Sequence, residues 1–212
     1  MQNLKKLIKM CKESNTSFFW VIFRYLWYKS TGRSILMSNR VYIKGLLNIR
    51  SSGLLQIGMN PFGFMNKYDR TFINVRGRLE FHGNYSIGRG CRFDIGPTAI
   101  ATFGGGYVSP NTNFIIMHKL NVGDGCVISW DCQFLDDDFH DLTHEKKIEK
   151  DCSINVGCHV WIGSRVVVLK GSRIPDGCVV ASGSVVCSAF TKENCLLAGN
   201  PAKIIRDNVS WR

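Results

Sequence analysis

The sequence contains no apolar run near the ~20 residues that a membrane-spanning helix requires, and it does not open on a signal segment with a small-residue cleavage site. Both absences predict a chain that stays inside the cell. It also lacks any repeated CxxC pair, and its nine cysteines are an odd number. That combination argues against a disulfide framework and against a four-ligand zinc site, so reduced thiols are expected. Acid is in short supply: 16 Asp plus Glu stand against 27 Lys plus Arg, for a net charge of +11. An excess of that sign suits nucleic acid, anionic lipid or a phosphorylated ligand, and its location decides among them. With 45% hydrophobic residues, the 212-residue chain can bury a core as one domain plus an appendage.

Much of the positive charge stands early. The first fifty residues carry Lys5, Lys6, Lys9, Lys12, Arg24, Lys29, Arg33, Arg40, Lys44 and Arg50 against the single acid Glu13. In NLKKLIKMCK, helical spacing puts Leu4, Leu7, Ile8 and Cys11 on one stripe, with lysines over much of the remainder. FFWVIFRYLWY comes next, dense in aromatics and interrupted by Arg24. Residues 1–40 are therefore expected to form a basic, aromatic-rich helical appendage. It either closes the apolar end of the main domain or lies in the headgroup layer of a membrane through residues 1–30, and the two roles are compatible.

The main domain is built on a repeat of six. Val156, Ile162, Val168, Ile174, Val180 and Val186 recur at every sixth position, a spacing that neither a helix nor an ordinary strand produces. Four residues after each of the first five comes a small or β-branched residue: Val160, Val166, Ser172, Cys178 and Ser184. Glycine and other turn formers fall between. Each hexad reads as a short strand and a tight corner, and three hexads make a triangular coil of eighteen residues, so Val156 should stack on Ile174 and Ile162 on Val180. The spacing also runs through Val75, Phe81, Ile87 and Phe93, and again through Val122, Ile128 and Phe134. Between Phe93 and Val122 the register slips, which predicts an irregular coil. Cys91, Cys126, Cys132 and Cys178 fall on the small inward position, where a thiol serves as a compact apolar group.

The register lapses again between Phe134 and Val156, so residues 135–153 are expected to leave the coil as a loop, where chemistry concentrates on a rigid scaffold. That loop contains DDDFHDLTHE, an acidic patch around His140 and His144 in a basic protein. Three consecutive acids, Asp136, Asp137 and Asp138, cannot all converge on one metal ion.

The hexads VGCHVW, IGSRVV, VLKGSR, IPDGCV and VASGSV, followed by LLAGNPAKIIR, resemble the closing half of the hexapeptide-repeat acyltransferases. DDDFH, HVWIGS and AGNPAK together are most similar to the sugar and polysaccharide O-acetyltransferases. The resemblance implies a mainly β fold, a left-handed parallel β-helix of hexapeptide repeats, over residues 41–206 with a C-terminal tail at 207–212. It implies acetyl-coenzyme A as donor with no metal required, and a homotrimer with active sites between subunits. The acceptor it implies is a sugar hydroxyl of a bacterial surface polysaccharide or its precursor. His140 matches the catalytic His of an Asp-x-His motif, as general base, with Asp138 as orienting partner. Asp136, Asp137 and Asn111 are candidates for the acceptor side. On the donor side the resemblance implies Trp161 at the groove, Gly163 and Ser164 near the thioester, Ser182 and Gly183 along the pantetheine arm, and Lys203 and Arg206 at the phosphates. Cys187-Ser188 replaces the Thr-Lys of many relatives. The alternatives are an N-acetyltransferase of an amino sugar nucleotide, a γ-carbonic-anhydrase-like protein, and a noncatalytic β-helix; no nucleic-acid motif is visible. The expected location is the cytoplasm, peripheral on the inner face of the membrane.

Overall fold

The computed structural model describes residues 2–60, 63–64, 66, 68–140 and 151–212. From Ile35 onward the chain winds as a three-sided parallel β-coil. Up to the last coil each strand pairs in parallel with the strand three places later, and the three faces hold nine, seven and six strands. The first face closes with the one antiparallel pair of the described strands, Leu196–Gly199 with Ala202–Arg206.

The hexad register is realised as read. Val156 pairs with Ile174, Ile162 with Val180, and Val168 with Val186. These aliphatics and the small partners Val160, Val166, Ser172, Cys178 and Ser184 are all buried. Between Phe93 and Val122 the expected irregular coil is not found. Phe93 pairs with Phe114, 21 residues on, and Phe103 with Val122, 19 residues on, so the sides stay regular and the corners absorb the added residues. The coil also begins earlier than the visible period, at the strand Ile35–Met37, which pairs with Leu55–Ile57.

The interior of this first half is filled by aromatics. Phe93, Phe114 and Phe134 stack at 4.5 and 4.7 Å, and Phe103 meets Phe114 edge-on at 5.4 Å. Cys91, Cys126 and Cys132 lie fully buried beside them and donate S–H bonds to the carbonyls of Ser109, Gly157 and Gly163. Burial pushes their pKa values up to about 12, 11 and 11, so these thiols stay protonated and pack as apolar groups.

Two helices precede the coil, α1 (Gln2–Glu13) and α2 (Phe18–Ser30). Their inner side, Met10, Cys11 and Val21 with Leu7, Phe18 and Tyr25, packs on Leu36, Leu54 and Met59 at the outside of the first face. Tyr28 reaches the core at the coil's beginning. The stripe of α1 is rotated from its expected phase: Leu7, Met10 and Cys11 turn inward, while Leu4 and Ile8 are exposed. Arg24 faces the coil as well, donating to the carbonyls of Met37 and Ser38 and to Asn39 Oδ1. No helix among the described residues is long and apolar enough to cross a membrane.

Candidate active site

The chain leaves the coil after Leu135, at the edge between the second and third faces. Strand alternation continues one step beyond, so Asp136 points inward and is fully buried. Its carboxylate accepts the N–H groups of Met117 at 2.6 Å and of His118 and Lys119 at 2.9 Å, all in the adjacent corner. Burial raises its pKa against the opposing pull of those three bonds. A carboxylate so enclosed anchors the root of the loop and does not reach an acceptor, which corrects the expectation for Asp136.

Asp137 stands beside the imidazole of His118, whose Nε2 lies 2.8 Å from Oδ2, and its Oδ1 accepts the N–H of Phe139 at 2.6 Å. The Phe139 bond, then His118, hold the Asp137 carboxyl below the usual carboxylate range. Phe139 itself has φ +59°, a left-handed turn that folds the chain back. The next residue is His140, exposed, with Nδ1 3.3 Å from the backbone carbonyl of Asp138. A carbonyl can only accept, so in the neutral ring this contact puts the proton on Nδ1 and the lone pair on Nε2. The Asp138 carboxylate is directed elsewhere, to Lys170 Nζ at 2.6 Å. Asp137, Asp138, Phe139, His140, Cys152 and Lys170 line an open polar hollow of about 270 Å³. Residues 141–150, His144 among them, lie outside the described residues.

His118, Cys152 and Lys170 were not anticipated as neighbours of this site. Lys170 arrives there because Leu169 pairs with Leu135, so the residue after each shares the same corner.

The expected donor-side residues gather at another edge, where the first face turns into the second. Ser164 and Ser182 stack there, their hydroxyls 3.2 Å apart, and the Gly183 N–H donates to the Ser164 carbonyl at 2.9 Å. Gly183 has φ +74° and open space where a Cβ would stand. Gly163 differs: a Cβ there would meet Ser182 N at 2.7 Å and Val180 O at 2.8 Å, so coil stacking itself demands glycine. Trp161 is outward and 41% exposed, and its Nε1 donates to Ser129 Oγ at 3.3 Å. The C-terminal segment folds back beside it. Trp211 stacks on His159 at 4.2 Å and lies 6.2 Å from Trp161, a second aromatic on this face that no motif announced. Asn111, φ +62°, occupies the same edge two coils away from Ser164, separated from His140 by the second face.

Lys203 and Arg206 are exposed on the last strand. Simple alternation would send them to opposite sides, but a bulge re-phases the pairing, setting Lys203 across from Ala198 and Arg206 across from Leu196. Leu197 between them is buried, so both cations lie on the outer side. Lys192 is engaged by Asp207 at 2.6 Å.

A three-sided coil of hexads with an excursion carrying Asp-Phe-His defines a class, and the chain belongs to the hexapeptide-repeat acyltransferases, whose fold is a left-handed parallel β-helix. No family profile matches it. The whole chain is 36% identical to 97% of a Klebsiella pneumoniae protein named only as an uncharacterized 24.8 kDa protein in a cps region. Over 66% of its length it is 29% identical to 44% of the polysialic acid O-acetyltransferase of Escherichia coli. Its fold is also that of the Bacillus cereus N-acyltransferase AntD, solved with dTDP-4-amino-4,6-dideoxyglucose and coenzyme A. There the TM-score is 0.53 and the identity 14%, over 88% of this chain and 89% of that one.

Proposed function

We propose that this protein is an acetyl-coenzyme A-dependent O-acetyltransferase that modifies a sugar hydroxyl of a bacterial surface polysaccharide or its precursor. The observation that carries the reading is His140, set in an open polar hollow with Nδ1 against a carbonyl and no hydrogen bond to Nε2 among the described residues. In the reaction, Nε2 takes the proton of the acceptor hydroxyl as its oxygen attacks the thioester carbonyl. The C–O bond forms, the C–S bond breaks, and the proton passes on to the departing thiolate. The polysialic acid O-acetyltransferase relative supports transfer to a glycan hydroxyl, and coenzyme A in the AntD structure supports an acyl-coenzyme A donor.

Roles for the other residues rest on their placement. Ser164, Ser182 and Gly183 leave an open corner for the pantetheine arm, with Trp161 beside it. Lys203 and Arg206 share one side of the strand, as two cations meeting the coenzyme's phosphates would require. Gly163 keeps adjacent coils in contact. Asp138 orients His140 through its carbonyl, and Asp137 with Asn111 faces the acceptor. His140 and the Ser164–Ser182 corner border opposite edges of the second face. The reading is completed by a homotrimer in which one chain's loop meets its neighbour's donor corner.

Transfer from acetyl-coenzyme A to a panel of sugars, oligosaccharides and lipid-linked glycans, with and without a free amine, tests the reading. Wild type should acetylate a hydroxyl, and His140→Ala should lose ~10²–10⁴-fold in turnover while still binding coenzyme A. Unchanged transfer in the variant would remove His140 from the mechanism, and exclusive transfer to an amine would replace the O-acetyl assignment.

A further inference from the structure

The outer side of α2 is an apolar feature that acyl transfer leaves unexplained. Phe19, Trp20, Phe23, Leu26 and Trp27 are 82%, 60%, 55%, 60% and 61% exposed. Their spacing places them on one helical face. Trp20, Phe23 and Trp27 form a continuous edge-to-face row at 5.8 and 6.4 Å. The opposite side of the helix is fixed. Val21 and Tyr25 pack with Leu36, Leu54 and Met59, Arg24 is bound to the strand end, and Arg89, buried, donates to Gly58 O and to the carbonyl of Ser14 between the helices. The aromatic row is thus presented by a docked element rather than by a loose terminus.

Charge indicates what would cover it. The two helices carry Lys5, Lys6, Lys9, Lys12, Arg24 and Lys29 against Glu13 alone, and that acid lies 3.7 Å from Lys9. All five lysines are exposed. A second copy would bring to this appendage the same one-signed charge. An anionic lipid surface instead accepts both parts, aromatic rings at the depth of the headgroups and ammonium groups against the phosphates. At ~1.5 Å per residue, the 13 residues of α2 fall well short of a ~30 Å hydrocarbon layer, so the helix lies in the interface and does not span it. We infer that α2 docks the enzyme flat on an anionic membrane surface through Trp20, Phe23 and Trp27, with the α1 lysines supplying the electrostatic part.

Co-sedimentation of the full chain with phosphatidylcholine vesicles, with and without phosphatidylglycerol, tests this. Wild type should sediment only with the anionic vesicles and should be released by salt. Trp20→Ser/Trp27→Ser should abolish binding while keeping the melting temperature, the oligomeric mass and transfer to a short water-soluble acceptor. Lys5→Gln/Lys9→Gln should weaken partitioning about fivefold per lysine. Absence of wild-type binding, or binding undiminished in the tryptophan variant, would overturn the inference. A drop in oligomeric mass in that variant would also overturn it, because the face would then belong to a second copy.

Discussion

The proposed base, His140, is contacted by a backbone atom of Asp138, and this separates two substitutions that motif reasoning would treat alike. The Asp138 carbonyl survives any side-chain change at that position, whereas its carboxylate contacts Lys170. Asp138→Asn should therefore cost only a few-fold in turnover, against ~10²–10⁴-fold for His140→Ala. Steady-state kinetics of both variants would decide it, and a loss at Asp138→Asn matching that at His140→Ala would mean the carboxylate, not the carbonyl, orients the ring. Asp137 adds a pH dependence. The Phe139 N–H and His118 lower its pKa, so its contribution to the turn is complete above the ordinary carboxylate value and is lost as pH falls through the lowered one. Hydrogen exchange at the Phe139 amide should be flat, apart from intrinsic chemistry, down to about pH 4 and lose protection below it. Part of this was legible in the sequence. The acid-and-imidazole cluster marked the loop, but starting that loop at residue 135 hid the inward turn that strand parity past Leu135 gives Asp136. The Asp138–Lys170 pair was not legible from the motif, because it joins residues 32 apart in sequence, across an excursion whose path no period describes.

At the level of strands and coils, two kinds of filling hold one architecture. The later coils keep to hexads, with Val156, Ile162 and Val168 each paired eighteen residues on. Their period was plain in the sequence because every corner has the same length. The earlier coils were harder to read, since Ile57 pairs with Ile87 and Ile73 with Phe93, 30 and 20 residues on, and variable corners erase a fixed period while leaving the inward alternation intact. In those coils Phe114 is central, with Phe93 and Phe134 stacked on either side and Phe103 at its edge. Phe114→Ala should destabilise by about 3–5 kcal/mol, the sum of lost transfer energy and a cavity that flanking coils cannot collapse to fill. Chemical denaturation would measure it. A loss under about 1 kcal/mol would mean that the aromatic column repacks freely. The phase of α1 illustrates the opposite limit: Leu4, Leu7, Ile8 and Cys11 fit a stripe by spacing, yet Met10 competes for the buried side and wins, because Leu36 and Met59 decide which side is inner.

For the whole molecule, the outside of the second face is as telling as the inside. Ile115, Leu135 and Leu169 pair in register as an outward aliphatic column, and Val167 pairs with Val185 beside it, all partly exposed in the single chain. The column runs up to the edge that bears His140, so a neighbouring chain seated on it would bring its own donor corner to that hollow. This geometry is open to a complementation experiment. In the proposed homotrimer His140→Ala lacks the proposed base and Trp161→Ala the proposed groove wall, so an assembly of either variant alone should be impaired throughout. In a trimer that mixes the two, one interface joins an intact His140 to an intact Trp161. Trimers that contain both variants should therefore show about one third of wild-type activity when subunits are related by a cyclic axis. Coexpression of the two variants with different affinity tags, tandem purification and an acetyl-transfer assay would measure the recovery. Activity no greater than that of the two separate variants would place base and donor on the same chain. In that case the aliphatic column would serve an interface unconnected with catalysis.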